Sequence, residues 1–175
     1  MRVPAAMALV TSAAAGLRAV DLGATILQLR AQFLTARELE IEARRLVEGA
    51  AVPVIISSRC DVALATGAAG VNLPERDVSV AEARRLIGAG MVGRSVHSVE
   101  AAREAERDGP DFLIFGPVWP SATHPEQPAR GLHALVAVIA AVRAPVLAIG
   151  GVNTERARVC LAAGAAGYAA IRMFE

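Results

Sequence analysis

Thr66-Gly-Ala-Ala-Gly-Val-Asn-Leu73 returns in nearly the same form about 100 residues later, as Ala163-Gly-Ala-Ala-Gly-Tyr-Ala-Ala170. Looser copies are Leu22-Gly-Ala-Thr25 and Gly88-Ala-Gly-Met91. A glycine just beyond a helix supplies the left-handed residue that ends the helix, and the apolar residues after it are typical of a parallel strand buried on both faces. The recurrence therefore predicts successive helix–strand units built around a parallel sheet.

The rest of the chain divides into similar units. The predicted strands are Met7–Thr11, Thr25–Arg30, Pro53–Ser57, Gly70–Leu73, Met91–Ser95, Phe112–Gly116, Pro145–Ile149 and Tyr168–Ile171. The predicted helices are a short one before Gly23, then Ala36–Gly49, Cys60–Thr66, Ser79–Ile87, Ser98–Arg107, Leu132–Val142 and Thr154–Ala163. Thr35 and Glu38 form a capping-box pattern at the start of the second helix.

These units fit a compact (β/α)8 TIM barrel with short helices. Divided among eight units, 175 residues give about 22 each, fewer than in the typical barrel of ~250 residues. An open doubly wound sheet is the alternative, but the first strand lacks the Gly-x-Gly-x-x-Gly pattern of that fold. We therefore predict a single barrel domain over residues 1–175.

The chain ends at Glu175, just after the eighth strand, so the last helix of a complete barrel is missing. We expect its absence to leave an apolar groove between the first and seventh helices. Because soluble monomers rarely expose large apolar patches, this groove predicts a homo-oligomer.

Composition excludes several classes of function. A net charge of +1 with dispersed arginines predicts no nucleic-acid or membrane partner, and the lack of a long apolar run or signal peptide predicts a cytoplasmic protein.

All 18 basic residues are arginine, so lysine Schiff bases and pyridoxal phosphate attachment are excluded. Cys60 and Cys160 are isolated, which favours buried thiols over a zinc site or a disulfide.

Polar residues follow nearly every predicted strand. In a barrel the carboxyl ends of the strands meet at one rim, where the chemistry takes place. These rim residues are Thr11, Ser12, Gln28, Arg30, Gln32, Ser57, Ser58, Arg59, Asn72, Glu75, Asp77, Ser95, His97, Gly116 to His124, Gly150, Gly151 and Arg172. So many polar residues after apolar strands predict a cationic site for a phosphorylated small molecule.

Gly150 and Gly151 lie between the seventh strand and a helix that Asn153 is expected to cap. Two glycines let the backbone approach a ligand closely, and free N–H groups at a helix N-terminus favour an anion. A tight turn without a ligand is the alternative for this pair taken alone.

Several short motifs occur in the order found in thiamin phosphate synthase and the TenI-type thiazole tautomerases. They are Gln28-Leu-Arg30, Arg59-Cys-Asp-Val-Ala-Leu-Ala65, Gly70-Val-Asn-Leu73, Ser95-Val-His-Ser98, Phe115-Gly-Pro-Val-Trp-Pro120, Gly131-Leu132 and Ala148-Ile-Gly-Gly151. The chain thus resembles this superfamily from about Leu9 to Ile171. The resemblance implies a barrel that joins a pyrimidine diphosphate to a thiazole phosphate, with Mg²⁺ holding the diphosphate.

The resemblance also implies roles for individual residues. The thiazole phosphate would bind Gly150, Gly151, the backbone at Ile171 and Arg172, Ser121 and Thr123. Gln28, Arg30, Ser95, His97 and Trp119 would form the rest of the substrate site. We expect His97 to orient the rim by a hydrogen bond, and Trp119 either to stack on a heteroaromatic ring or to cap the barrel mouth by packing.

The chain departs from the synthase pattern on the diphosphate side. Ala31 and Gln32 replace Glu-Lys, Ser57 and Ser58 replace Asn-Asp, and His124 replaces the lysine of Thr-x-Thr-Lys, while Asp77 still matches one magnesium ligand. Two cations and one metal ligand are therefore missing, and such groups stabilise departing phosphate charge. Arg30 or Arg59, at the same rim, could compensate.

This pattern favours the tautomerase branch, which moves a proton on a thiazole phosphate and needs no metal. The histidine expected after the strand-six glycine is Pro117, so His124 becomes the candidate acid or base, with a solvated loop residue as the alternative. Two other functions stay open. One is a divergent Mg²⁺-dependent thiamin phosphate synthase, and the other is a non-catalytic thiazole-phosphate binder or regulator.

Overall fold

Eight parallel strands close into a barrel in the computed structural model, which describes residues 6–121 and 127–175. The strands are β1 Ala6–Val10, β2 Ile26–Leu29, β3 Val54–Ser57, β4 Gly70–Leu73, β5 Met91–Val96, β6 Phe112–Phe115, β7 Val146–Ile149 and β8 Gly167–Ala170. The barrel closes where β8 pairs with β1, Tyr168 opposite Ala6. The predicted barrel is confirmed and the open-sheet alternative is wrong.

Seven α-helices lie between the strands in the described part of the chain. They are α1 Ala13–Asp21, α2 Ala36–Gly49, α3 Cys60–Thr66, α4 Val80–Ile87, α5 Val99–Arg107, α6 Gly131–Ala141 and α7 Thr154–Ala162. A 3₁₀ turn, Arg172–Phe174, follows β8. None of the helices described is long and apolar enough to cross a membrane.

The helix ends follow from local sequence. The predicted capping box forms at α2: the Thr35 hydroxyl accepts the Glu38 N–H at 3.3 Å, and the Glu38 carboxylate accepts the Thr35 N–H at 2.8 Å. The hydrogen bonds from the backbone and side chain of Thr35 lower the pKa of Glu38. Gly67 and Gly164, in the two repeated stretches, have φ of +68° and +96°, the left-handed conformation that the repeat predicts.

The core has an inner and an outer part. Inside the barrel lie Met7, Ile26, Ile55, Met91, Phe112, Ile114, Leu147 and Ala169. Two further clusters pack the outer faces of the strands against the helices. Cys60 and Cys160 are buried free thiols, as predicted, and burial raises the pKa of Cys160 to about 11. The inner cluster forms the floor beneath the carboxyl ends of the strands.

The 3₁₀ turn after β8 changes the predicted groove. Phe174 is only 4% exposed and belongs to the same apolar cluster as Ala13 and Ala19 of α1. The turn therefore fills part of the space that a missing eighth helix was expected to leave open. Leu17 and Leu22 in and after α1, and Val159 and Leu161 of α7, remain exposed. A homo-oligomer that covers them stays a prediction.

Candidate functional site

A cavity of about 650 Å³ opens at the carboxyl ends of the strands. Its floor includes Leu9, Ile114, Ile149 and Ala169. Most of the predicted site residues come together around it: Gln28, Arg30, Ser95, His97, Ser121, Gly150, Gly151, Ile171 and Arg172. The topology separates two sides, because β2–β4 and β7–β8 lie across the closed barrel from each other.

Gly150 and Gly151 form a tight connection between β7 and α7. Their φ angles are +97° and +62°. A Cβ on Gly150 would lie 2.5 Å from Pro117 Cα, and one on Gly151 would lie 2.5 Å from Pro120 O, so both positions require glycine. Neither N–H donates to another described residue. The pair can therefore offer two backbone donors to an anion, as the sequence predicts.

The strand next to β7 adds to the same corner. Ile171 and Arg172 directly follow β8, which pairs with β7, and both line the cavity. The Arg172 side chain is exposed. Ser121 lines the cavity beside them, whereas Thr123 and His124 lie outside the described residues. Backbone donors and a cation thus meet at one corner, which we call the β7–β8 corner (Gly150, Gly151, Ile171 and Arg172).

Arg156, in the first turn of α7, contacts this corner and was not predicted. Its Nη1 donates to Gly151 O at 2.7 Å, and its guanidinium lies over the Trp119 ring, 5.2 Å from the centroid. Trp119 does not line the cavity. The ring packs against Arg156 and the apolar clusters. Stacking on a ligand ring and capping of the barrel mouth by packing both stay predictions for Trp119.

Two buried amide side chains line the β2–β4 side of the cavity. Gln28 on β2 and Asn72 on β4 are 2% and 3% exposed. The Asn72 Nδ2 donates to Ser95 Oγ at 3.1 Å, but Gln28 Oε1 and Asn72 Oδ1 have no partner within residues 6–121 and 127–175. Buried polar atoms in native proteins are almost always hydrogen-bonded. Each oxygen therefore keeps an acceptor position that no described residue fills.

His97 is held between two loops of the rim. Its backbone N–H donates to Glu75 Oε2 at 2.7 Å, and its Nδ1 lies 2.5 Å from Gly116 O. A carbonyl oxygen only accepts, so Nδ1 carries a proton, and in the tautomer with that single proton Nε2 is an acceptor. The contact ties the β5 rim to β6, and the ring lines the cavity.

The residues matching a magnesium site do not fit one in this chain. The Ser58 hydroxyl donates to Asp77 Oδ2, and Asp77 Oδ1 accepts the Val78 N–H at 2.8 Å. Neither Ser58 nor Asp77 lines the cavity. Across residues 6–121 and 127–175, no group of three or more His, Cys, Asp or Glu side chains could hold a metal. Ser58 therefore gives Asp77 a hydrogen-bond donor but adds no second carboxylate to a cation site.

The two arginines expected to compensate differ in position. Arg30 lines the cavity, but Arg59 forms an exposed ion pair with Asp61 at 2.5 Å and does not. That ion pair raises the pKa of Arg59 and lowers the pKa of Asp61. Arg30 is thus the cation that the described chain places on the β2–β4 side.

The model of the family described as thiamine monophosphate synthase matches residues 5–174. The thiamine-phosphate synthase of Chloroflexus aurantiacus is 41% identical over 153 residues, which cover 85% of this chain and 71% of that protein. Putative thiamine-phosphate synthase 2 of Aquifex aeolicus is 39% identical over 155 residues, 87% and 83% of the two chains.

A solved structure, thiamine phosphate pyrophosphorylase from Pyrococcus furiosus, superposes with a TM-score of 0.88 at 30% identity and covers 97% of this chain and 86% of that one. The names of these relatives support the synthase alternative and carry no information on the tautomerase. Sequence, barrel and rim agree with one another, and the chain belongs to the thiamine monophosphate synthase family.

Proposed function

We propose that this protein is a thiamin phosphate synthase with a weakened diphosphate side. In the reaction, the ring nitrogen of a thiazole phosphate forms a bond to the methylene carbon of a pyrimidine diphosphate, and diphosphate leaves. The family supports this assignment, and so does the shape of the site. A cavity of about 650 Å³ has room for two small substrates side by side.

The β7–β8 corner suits the phosphate of the thiazole. Gly150 and Gly151 present N–H groups that no described residue accepts, Arg172 adds a permanent positive charge, and the N-terminus of α7 follows directly. A phosphate monoester bound there would leave its thiazole ring over the apolar floor.

The observation that carries the proposal is the pair of unsatisfied amide oxygens across the cavity. A thiazole phosphate has no N–H group to give them, whereas a pyrimidine that carries an amino group (an aminopyrimidine) has two. Gln28 Oε1 and Asn72 Oδ1 lack partners among the described residues, and such groups cost about 1–3 kcal/mol each when left unpaired. A bound aminopyrimidine would remove that cost, so the second substrate has a place beside the first.

Turnover is expected to be slow. Gln32 is exposed, Ser58 binds Asp77, and the described residues do not build a metal site. This chain contributes two things to displacement of the diphosphate. The two sides of the cavity position the substrates, and Arg30 adds a positive charge.

The test is incubation with both substrates and Mg²⁺, with thiamin phosphate measured by mass spectrometry. Gln28→Met keeps the size of the side chain but removes the acceptor, and should lower product formation by about tenfold or more. Gln32→Met makes the same change at an exposed position and should have little effect. Absence of product from the wild type, or equal rates for Gln28→Met and the wild type, would contradict the proposal.

A second candidate, the thiazole tautomerase, is favoured by one observation. His97 lines the cavity, and the tautomer with its proton on Nδ1 leaves Nε2 as an acceptor that could move a proton without metal. Deuterium exchange into thiazole carboxylate phosphate in EDTA, lost in His97→Gln, would support this activity. Tight binding of thiazole phosphate without turnover in either assay would leave the non-catalytic binder.

We also propose that the exposed apolar residues of α1 and α7 are buried in a homo-oligomer. Leu22 is 55% exposed at the end of α1. Sedimentation at micromolar concentration should show an oligomer that Leu22→Glu dissociates, because a charge there would be desolvated. Leu64→Glu, at a similarly exposed position on α3 (54%), is the control. A monomeric wild type would refute the interface.

A further inference from the structure

We infer that Arg156 is a phosphate-binding residue of the β7–β8 corner and also holds Gly151 in position. The inference rests on the proposed thiazole-phosphate site. It assigns to the site a cation on α7 that the sequence motifs did not indicate. The two lysines of the synthase pattern are replaced in this chain by Gln32 and His124.

The first step is the contact with the glycine turn. Arg156 lies in the first turn of α7, where the Asn153 side chain accepts its backbone N–H at 2.9 Å. From there Nη1 reaches back to Gly151 O at 2.7 Å. A Cβ built on Gly151 would lie 3.2 Å from the same Nη1. The guanidinium therefore lies directly against the turn, and its hydrogen bond fixes the orientation of the Gly151 carbonyl.

The second step concerns charge. No carboxylate pairs with Arg156 in the described parts of the chain, whereas Arg44, Arg45, Arg59 and Arg84 each have one. A guanidinium has five N–H donors in a planar fork, and one of them is used on Gly151 O. Among the described residues no acceptor uses the remaining donors, and Arg156 lines the cavity. Arginine forks match phosphate oxygens in geometry as well as charge.

The third step explains why the side chain stays in place. The guanidinium lies over the Trp119 ring, and the Trp119 backbone N–H donates to Gly150 O at 3.1 Å. The carbonyl oxygens of the two glycines thus accept hydrogen bonds from two separate segments of the chain: Gly150 O from Trp119, and Gly151 O from Arg156. With both carbonyls fixed, the Gly150 and Gly151 N–H groups are kept in one arrangement before the ligand arrives.

Binding of inorganic phosphate and of thiazole phosphate, measured by calorimetry, tests the charge. Arg156→Ala should weaken both by about tenfold to a hundredfold, the value of a hydrogen-bonded charge. Arg156→Lys should recover part of the loss, because it keeps the charge but not the fork. Arg158→Ala, an exposed arginine on the same helix, is the matched control and should bind as the wild type does.

Fluorescence gives a readout that a merely structural role would not move. Trp119 is the only tryptophan, so its emission reports the position of the guanidinium above it. Added phosphate should change the Trp119 emission of the wild type and of Arg158→Ala. The emission of Arg156→Ala should not change, even at phosphate concentrations that saturate this variant.

The two proposals fail in different ways. A wild type that binds neither phosphate nor thiazole phosphate refutes the site itself and the role of Arg156 with it. A wild type that binds both, while folded Arg156→Ala and Arg156→Lys bind equally well, refutes only the role of Arg156. Should Arg156→Ala not fold, equal binding by Arg156→Lys and the wild type, with an unchanged fluorescence response, overturns the inference.

Discussion

Gly151→Ala is expected to weaken the binding of thiazole phosphate by about a hundredfold or more, a loss comparable to removing one preorganised donor. The new Cβ would lie 2.5 Å from Pro120 O and 3.2 Å from Arg156 Nη1, at a backbone φ of +62°. The turn must shift, and with it the N–H groups that face the ligand. Calorimetry with thiazole phosphate, after circular dichroism has shown a folded protein, measures the effect.

Gly67→Ala separates backbone strain from damage to the site. Gly67 has a φ of +68°, close to that of Gly151, but a Cβ there meets nothing within 4 Å. In both variants the left-handed conformation of the new alanine should lower the free energy of unfolding by about 1–2 kcal/mol. Only Gly151→Ala should lose binding. Equal affinities of the two variants would show that the glycine turn does not hold the phosphate.

Ser58→Asp is expected to make the protein depend on Mg²⁺. A second carboxylate would replace the hydroxyl that donates to Asp77, and two carboxylates at hydrogen-bond distance repel each other. In EDTA we expect the free energy of unfolding to fall by about 1–3 kcal/mol. When Mg²⁺ is added, the two carboxylates should act as its oxygen ligands. Stability should then return, and synthase turnover should rise by about a hundredfold.

Ser58→Asn is the control, since it is similar in size to Asp but carries no charge. Ser58 has a φ of +69°, which Asn and Asp both tolerate. Urea unfolding and product formation, each with and without Mg²⁺, are the measurements. Turnover of Ser58→Asp that stays at the wild-type rate in Mg²⁺ would show that the missing carboxylate is not what limits the reaction.

The barrel could be predicted because its signals are local. The glycine after a helix and the apolar run after the glycine occupy a few adjacent residues, as in 66–73 and 163–170, and the structure places helix ends and strands there. The glycine turn after β7 was predictable for the same reason. Strand, turn and helix N-terminus are consecutive in the chain.

The rest of the site depends on residues far apart in sequence. Trp119 and Arg156 meet across 37 positions, so the sequence could not show that the guanidinium lies over the ring. The one available signal was that Arg156 stands three residues after the helix cap Asn153, a position that faces the preceding turn. The unpaired oxygens of Gln28 and Asn72 likewise become visible only when β2 and β4 are placed in one barrel.

The pairing of β1 with β8 also means that the barrel can close only late in translation. Tyr168 pairs with Ala6, so about 160 residues must be translated before the first strand meets its last neighbour. At roughly 5–20 residues per second, that interval is about 8–30 seconds. Until then one edge of β1 exposes unpaired N–H and C=O groups to other nascent chains. Expression at high rates should therefore favour aggregation before release from the ribosome, and chaperones that shield the growing sheet should raise the yield.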